Sequence, residues 1–321
     1  MVIVYGNCHT LVISNMLESS SDFNKGYYIL HIKRIQDIKD TSYLYSDFFG
    51  KCDVFIHQSI RLGNRYGDEL ASLRIIERLK PDCRVISIPN VYHLATCFFP
   101  QYNEAEEFIK KGNTFFFRDS IIDSHMGNFF KTISYSLKDY FSDRTWDEVY
   151  IREEFDKFIA KVRKREVDWD IKVSEYLLNN YQRCKLFYDP NHPTNEFLGY
   201  VSIKLLNMLL GRTYDYQENL TCDLCLDSIE MPICNSVVKA LQLNWRDCSI
   251  RTSYPCTNLA PIRMGYRTYV IEYMALYWTL KSSKGVRKFC SKSAYYILLF
   301  LSFIRRAIRK SYKILKSYMV F

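Results

Sequence analysis

The sequence predicts an α/β protein with a parallel sheet flanked by helices and a helical C-terminal region. Apolar runs of strand length alternate with helical segments over residues 1–88, and the links between them are short. The chain has 321 residues, of which 48% are hydrophobic, so it can bury a sizeable core. Aromatic residues are abundant, with 26 Tyr and 21 Phe, while Gly and Pro number only 11 and 8, which indicates a globular chain.

The first strand, residues 2–5, ends at Gly6, and a helical run over residues 10–17 follows almost at once. Such a junction places the next side chains, here Asn7, Cys8 and His9, at the carboxyl edge of the sheet, where helical N–H groups point at a ligand. A thiol at a helix N-terminus beside an imidazole is pushed toward thiolate, the form that attacks carbonyl carbon. The alternative for Cys8 is an ordinary core position, because free cysteines are among the most buried residue types.

Three further strands are predicted at residues 27–32, 53–57 and 84–88, with a helix over residues 68–79 before the last of them. Ligands of parallel sheets bind outside the carboxyl ends of the strands. The polar residues that follow the strands are therefore expected to converge on one binding site: Gln58, Arg61 and Asn90. The next segment, residues 91–101, is aromatic and suits either a pocket wall or simple packing, with Tyr92 and Gln101 as its candidate binding residues.

In the second half, residues 146–183 interleave charged and apolar residues at helical spacing, which predicts helix with a solvated face. A short strand at 185–188 leads into the sequence Asp-Pro-Asn-His-Pro-Thr, and a helix over 195–210 then ends at Gly211. Asp189 and His192 have a D-x-x-H spacing, in which a carboxylate fixes the tautomer of an imidazole and stabilises its charged form. Together with Cys8 they complete a candidate nucleophile, base and orienting acid, with Asn191 beside the base and His9 as the alternative base.

Charge is concentrated at the end of the chain. Of the 44 Lys and Arg, 11 lie in residues 281–321, which hold no acidic residue; the remaining 33 basic and 35 acidic residues leave the first 280 residues at −2, so no nucleic-acid partner is expected. The uncharged run 294–304 is too short to span a bilayer, which needs about 20 residues. Residues 285–321 are expected either to lie on an anionic membrane surface or to dock on the core as a terminal helix.

No secretory signal opens the sequence, so a cytoplasmic location is expected, with the inner face of the membrane as a second location. The 11 cysteines are then expected to be reduced thiols. No histidine follows His192, so a zinc site would need scattered cysteines, and no metal is expected. We predict three parts: an α/β catalytic domain (1–211), a cysteine-rich, partly helical extension (212–280) and a basic amphipathic C-terminal helix (281–321).

Several of these motifs together resemble the WcbI-type polysaccharide biosynthesis proteins, and this resemblance implies an acetyltransferase of bacterial capsule assembly. The resemblance covers residues 1–211 and rests on Gly6-Asn7-Cys8-His9, Ile56-His57-Gln58-Ser59-Ile60-Arg61, Ile88-Pro89-Asn90, Phe99-Pro100-Gln101 and Asn191-His192-Pro193-Thr194. It implies binding of coenzyme A or acetyl-CoA, and transfer of an acetyl group to the hydroxyl of a glycan or nucleotide-sugar acceptor. It also implies that Cys8 and a histidine are central to the site.

The order of the motifs is also similar to SGNH-type esterases and acetyltransferases, in which the nucleophile follows the first strand and a D-x-x-H lies late in the domain. This similarity favours His192 over His9 as base. Backbone N–H groups near Asn7 and Cys8 are candidates to hold an oxyanion. Two alternatives to an acetyltransferase stay open at this point: an acyl esterase that uses the same residues, and a non-catalytic component of a membrane-associated assembly complex that binds coenzyme A or glycan.

Overall fold

The computed structural model describes residues 1–104, 117–127, 129–211, 213–214, 220, 222–227, 229–245, 250–252 and 262–281. Its central element is a three-stranded parallel sheet in the order β1 (Val2–Tyr5), β2 (Val54–Gln58) and β3 (Arg84–Ile88). The middle strand is buried along its whole length, as is typical of a parallel sheet that is covered on both faces. The predicted α/β class, with a parallel sheet flanked by helices, is confirmed.

The helices and the remaining strands follow in chain order. The helices are α1 (His9–Glu18), α2 (Ser21–Gly26), α3 (Ser72–Ile76), α4 (Ser120–Ser124), α5 (Phe129–Phe141), α6 (Glu148–Arg165), α7 (Ser174–Asn180), α8 (Asn195–Leu210), α9 (Asn235–Ala240) and α10 (Tyr266–Lys281). Two antiparallel pairs lie outside the parallel sheet: β4 (Tyr102–Glu104) with β5 (Phe117–Asp119), and β6 (Ile250–Thr252) with β7 (Ile262–Met264).

Alternating side chains of the strands enter two hydrophobic cores, one on each face of the sheet. Val4 and Ile56 belong to the larger core, where α1 and α8 pack together. Tyr5 and Phe55 belong to the smaller core, to which α3 contributes Ile75. Since both faces are covered, the open ends of the strands are where a ligand can reach the sheet.

The predicted strand over residues 27–32 is wrong. Only a single bridge forms there, between Ile29 and Val2, with hydrogen bonds of 2.9 Å from Val2 N to Tyr28 O and from Leu30 N to Val2 O. The chain then bends away and returns to this edge at Ile35, whose N–H donates to the Gly6 carbonyl, so no continuous ladder can form.

The predicted helix over residues 68–79 is divided into a 3-10 turn, Asp68–Leu70, and the short helix α3. Ala71 between them is extended, because Ser72 is held by the end of β2. The Ser72 hydroxyl donates to Gln58 O at 2.8 Å and accepts from Ile60 N at 2.9 Å. The break thereby fixes the loop that follows β2.

The predicted helix over residues 146–183 is likewise interrupted, between α6 and α7. Asp170 bonds with Ser87 of β3 through backbone and side chain, so this part of the chain covers the edge of the sheet instead of continuing as a helix. The Glu166 carboxylate then accepts the first N–H groups of α7. The predicted strand at 185–188 is reduced to one bridge, between Phe187 and Pro193.

The described part of the predicted extension 212–280 contributes Met231, Val237 and Tyr269 to the same core as α1 and α8. Of the predicted basic tail, residues 282–321 lie outside the described residues. Among the helices that the structure describes, none is long and apolar enough to cross a membrane. No cluster of His, Cys, Asp and Glu suited to a metal ion is found within the described ranges.

Candidate active site

A cavity of about 610 Å³ opens at the carboxyl ends of the three parallel strands. The loops that follow β1, β2 and β3 line it, together with the loop that precedes α8. The expected convergence of strand-end residues is therefore observed. Eight of the residues singled out in the sequence line the cavity: Asn7, Cys8, Gln58, Arg61, Asn90, Tyr92, Asn191 and His192.

The junction after β1 depends on a close approach between Gly6 and Gln58. A Cβ atom at Gly6 would lie 2.4 Å from Gln58 Oε1 and 2.8 Å from Thr10 Cγ2, so glycine is needed for this contact. The Asn7 side-chain oxygen then accepts the N–H of His9, the first residue of α1, at 2.9 Å. Cys8 occupies the N-cap position, where the helix dipole favours negative charge.

Beneath the cavity, two buried side chains connect this junction to the loop before α8. Gln58 Oε1 accepts from Asn7 N at 2.8 Å, and Gln58 Nε2 lies 3.1 Å from His9 Nδ1. His9 Nε2 lies 3.0 Å from the Asn191 carbonyl oxygen. Burial and the positive charge of His192 together lower the pKa of His9 to about 3, so His9 is neutral.

The loop before α8 is organised by Asp189, which is fully buried. Its Oδ1 accepts the N–H groups of Asn191 and His192 at 2.7 and 3.0 Å. Its Oδ2 lies 2.7 Å from His192 Nδ1. The loop is closed on itself by a bond of 2.8 Å from Tyr188 N to His192 O. The predicted D-x-x-H contact is thus formed.

His192 meets Cys8 on its other side. The ring bonds to Asp189, and Cys8 lies close enough on the cavity wall to stabilise its charged form. Because Nδ1 faces Asp189, Nε2 is left for Cys8. Burial lowers the pKa of His192, but the Asp189 carboxylate and Cys8 together raise it to about 10. The imidazole is therefore held in its charged form, directly beside a sulfur atom.

The opposite side of the cavity is basic and aromatic. The Arg65 guanidinium lies 4.8 Å from the Tyr66 ring centroid and 5.3 Å from that of Tyr92, in cation–π contact with both. It also donates to the Tyr66 hydroxyl at 2.6 Å. Arg61, at the rim, lies 3.6 Å from Asp168. Asn90 positions this side, because its side-chain oxygen accepts the Tyr92 N–H at 3.2 Å.

Some predicted site residues do not line the cavity. Gly6, His9 and Asp189 lie behind it, in contact with residues that do. The prediction that Gln101 is a binding residue of this cavity is corrected by the structure. Gln101 is fully buried away from the cavity, where its amide donates to Pro232 O at 2.8 Å. The Asn7 N–H is not free to hold an oxyanion, because Gln58 accepts it. The Cys8 N–H has no acceptor among the described residues and faces no such restriction.

Arg65 and Tyr66 also line the cavity but were not among the site residues predicted from the sequence. Both lie in the loop after β2 between Gly63 and Gly67, which have φ angles of +72° and +109°. The two glycines were a signal of a tight loop at a strand end, where side chains face a ligand. Asn64 braces this loop by donating to the carbonyls of Arg61 and Gly67, both at 2.9 Å.

Comparison with known proteins points to one family. The model of the polysaccharide biosynthesis enzyme WcbI matches residues 1–211. A solved structure of WcbI is 18% identical, with a TM-score of 0.69 over 96% of this chain and 97% of that one. That structure is described as a novel polysaccharide biosynthesis enzyme, in a native form without a disulfide bond between coenzyme A and one of its cysteines. No curated protein matches the chain.

The solved WcbI structure has the same overall fold as this chain, and the similarity of the two folds extends beyond residues 1–211. The family match itself covers well over half of the 321 residues and contains every residue of the cavity. This chain therefore belongs to the WcbI family of polysaccharide biosynthesis enzymes.

Proposed function

We propose that this enzyme transfers an acetyl group from acetyl-CoA to a sugar hydroxyl of a capsular or other surface-polysaccharide precursor. The observation that carries the proposal is that Cys8 and His192 line one cavity and stabilise each other's charge, with Asp189 bonded to His192 behind it. Such an arrangement provides a nucleophile, a proton carrier and an orienting carboxylate, as acyl transfer requires.

The cavity suits an anionic donor. Arg61 and Arg65 line it together with the charged His192, and no Asp or Glu is among the described residues of its lining. Coenzyme A carries phosphate groups, which guanidinium groups bind well. The volume of about 610 Å³ is also in the usual range for small-molecule sites. The WcbI structure described with reference to coenzyme A and a cysteine supports the same donor class.

In the proposed first half-reaction, Cys8 Sγ attacks the acetyl carbonyl carbon as a thiolate. The new C–S bond forms on Cys8 while the bond to the sulfur of coenzyme A breaks. The leaving thiolate takes the proton from His192 Nε2, which leaves His192 neutral. The Cys8 N–H is the group available to stabilise the oxyanion that develops in between.

In the second half-reaction, His192 acts as the base. Acetylation removes the negative sulfur that helped to hold the His192 proton, so the neutral ring can now accept one. The acceptor hydroxyl gives its proton to Nε2 while its oxygen attacks the Cys8 thioester. The ester departs, and Cys8 thiolate and protonated His192 are restored. If water took the place of the sugar, the same steps would make an esterase.

Donor binding is tested by protection against heat. A ligand that binds only the folded protein at about 100 times its Kd adds about 2.7 kcal/mol to the free energy of unfolding. We expect acetyl-CoA to raise Tm, and Arg65→Gln to reduce that shift. Arg84→Gln is the matched control, since Arg84 is exposed at the amino end of β3, away from the cavity. Equal protection of both variants, or no protection of the native protein, would contradict the donor assignment.

Transfer is tested by following the release of free coenzyme A with a thiol reagent. We expect release to accelerate when a precursor sugar or nucleotide-sugar is added, and the acetyl group to appear on that acceptor. A release rate that is independent of any acceptor, with acetate as the product, would identify the esterase alternative instead.

A further inference from the structure

Gln58 is fully buried, and the backbone around it determines how its amide is oriented. Asn7 N–H can only donate, so the atom 2.8 Å away must be Oε1. Pro89 O can only accept, so the atom 3.2 Å from it must be Nε2. Two independent backbone groups therefore exclude the flipped amide. It follows that Gln58 presents an N–H group to His9.

The same reasoning fixes the tautomer of His9. Its Nδ1 lies 3.1 Å from the Gln58 N–H group and must be an acceptor. Its Nε2 lies 3.0 Å from the Asn191 carbonyl and must carry the proton. Protonation of Nδ1 would bring two donors together in a buried place, in agreement with the lowered pKa of His9 of about 3. Neither nitrogen is available to a substrate.

The hydrogen bond from His9 to the Asn191 carbonyl lies next to both proposed reactive residues. His9 directly follows Cys8 at the start of α1, and Asn191 directly precedes His192. One hydrogen bond thus connects the residue after the proposed nucleophile to the residue before the proposed base. Asp189 accepts the N–H groups of Asn191 and His192 in the same loop. Both a carbonyl and the N–H groups of the loop backbone are therefore hydrogen-bonded.

We infer that Gln58 and His9 are positioning residues for the Cys8–His192 pair: Gln58 fixes the Nε2–H tautomer of His9, and His9 holds the Asn191 carbonyl so that His192 reaches Cys8. This inference rests on the proposed function only in taking Cys8 and His192 as the reactive pair. It assigns His9 a role in geometry rather than in proton transfer.

The test compares His9→Gln with His9→Leu. A glutamine side chain has one acceptor and one donor group, so it can accept from Gln58 and donate to Asn191 O, whereas leucine can do neither. The measurement is the alkylation rate of Cys8 by iodoacetamide from about pH 5.5 to 9, with peptide mapping. Cys225, an exposed thiol outside the cavity lining, serves as the internal reference.

In the native protein we expect Cys8 to react faster than Cys225 near pH 6.5. His9→Leu should lower that ratio about tenfold, while His9→Gln should stay within about threefold of native. A native-like ratio in folded His9→Leu would overturn the positioning role alone. A native Cys8 no faster than Cys225 would overturn the reactive pair, and the proposed function with it.

The native protein offers a second test that does not depend on whether His9→Leu folds. Nitrogen–proton correlation spectra of the histidine rings should show His9 as the Nε2–H tautomer, without titration between about pH 5 and 8. Gln58→Met should release it from that state. A His9 ring that titrates in this range in the native protein, or that carries its proton on Nδ1, would overturn the inference.

Discussion

Asp189 and Asp119 are both fully buried, and each uses one carboxylate oxygen to accept the backbone N–H groups two and three residues later. Their second oxygens differ. In Asp189 it bonds to the His192 ring at the cavity, while in Asp119 it accepts the hydroxyl groups of Tyr140 and Tyr269 in the core.

The same loop hydrogen bonds follow both aspartates, so the residue three positions after the aspartate decides what the loop can do chemically. The side chain that follows Asp119 by three residues is Ile122, which packs in the core, whereas His192 in the same place faces Cys8. Burial raises the pKa of Asp119 to about 6, against its hydrogen bonds with Tyr140 and Tyr269. The Asp189 carboxylate is thus placed to hold the proton on His192. The Asp119 carboxylate instead connects its own segment to those of Tyr140 and Tyr269.

The largest expected effect is that of His192→Ala. Loss of a general base costs about 10² to 10⁴-fold in rate, so acetyl transfer should fall by that amount while the protein stays folded. Binding of acetyl-CoA, measured by heat protection, should be largely kept. A fall in acetyl transfer of less than about tenfold would contradict the role of His192 as base and, with it, the functional difference between the Asp189 and Asp119 regions.

The next effect comes from exchanging each aspartate for asparagine. In Asp189→Asn the new amide donates to His192 Nδ1, so the ring proton moves to Nε2 and the ring cannot accept from Cys8. We expect a loss of about 10 to 10²-fold in activity. In Asp119→Asn the tyrosine hydroxyls can rotate to accept the amide, so activity should be unchanged. Equal losses in the two variants would contradict the comparison.

A smaller effect, on stability alone, is expected for Tyr140→Phe. The change removes a buried hydrogen bond to a carboxylate, which contributes about 1.5 to 3 kcal/mol. Denaturant unfolding should show a loss of that order, with acetyl transfer unaffected per folded molecule. A fall in activity without a fall in stability would connect the Asp119 cluster to the site.

The last effects concern the pH dependence of unfolding and leave the activity of the folded protein aside. Both His192 and Asp119 have a pKa raised by folding, to about 10 and about 6, so each contributes stability at low pH that is lost as pH rises. For Asp119 the loss falls between about pH 4 and 6, and for His192 between about pH 6.5 and 10. Asp119→Asn should remove the first change and Asp189→Asn most of the second, in denaturant titrations at fixed pH.

The sequence was sufficient for the strand-end site because its signals are local. Cys8 follows a strand that ends at Gly6, and Asp189 with His192 lies within four residues. The Asp119 cluster could not be predicted in this way, because Tyr102, Tyr140 and Tyr269 come from distant parts of the chain. The role of Gln58 beneath the cavity was missed for the same reason, since its partners meet it only in the folded sheet.

The wrong predictions of secondary structure have a related cause. The apolar run at 27–32 has a strand pattern, yet its only bridge to β1 is at Ile29. Residues 68–79 and 146–183 have helical spacing, but Ser72 and Asp170 are held by the sheet and interrupt the helices. Arg65 and Tyr66 enter the site through a glycine-bounded loop, whose direction periodicity does not specify. Tertiary contacts therefore decided each of these cases.

Whether Asp189 and His192 activate Cys8 is measured directly by the mass of the protein after brief mixing with acetyl-CoA. We predict one acetyl group on Cys8, located by peptide mapping, which disappears when an acceptor sugar is added. The adduct should form much more slowly in Asp189→Asn and at the native rate in Asp119→Asn. An acetyl group on another cysteine, or an equal rate in the two variants, would contradict the account.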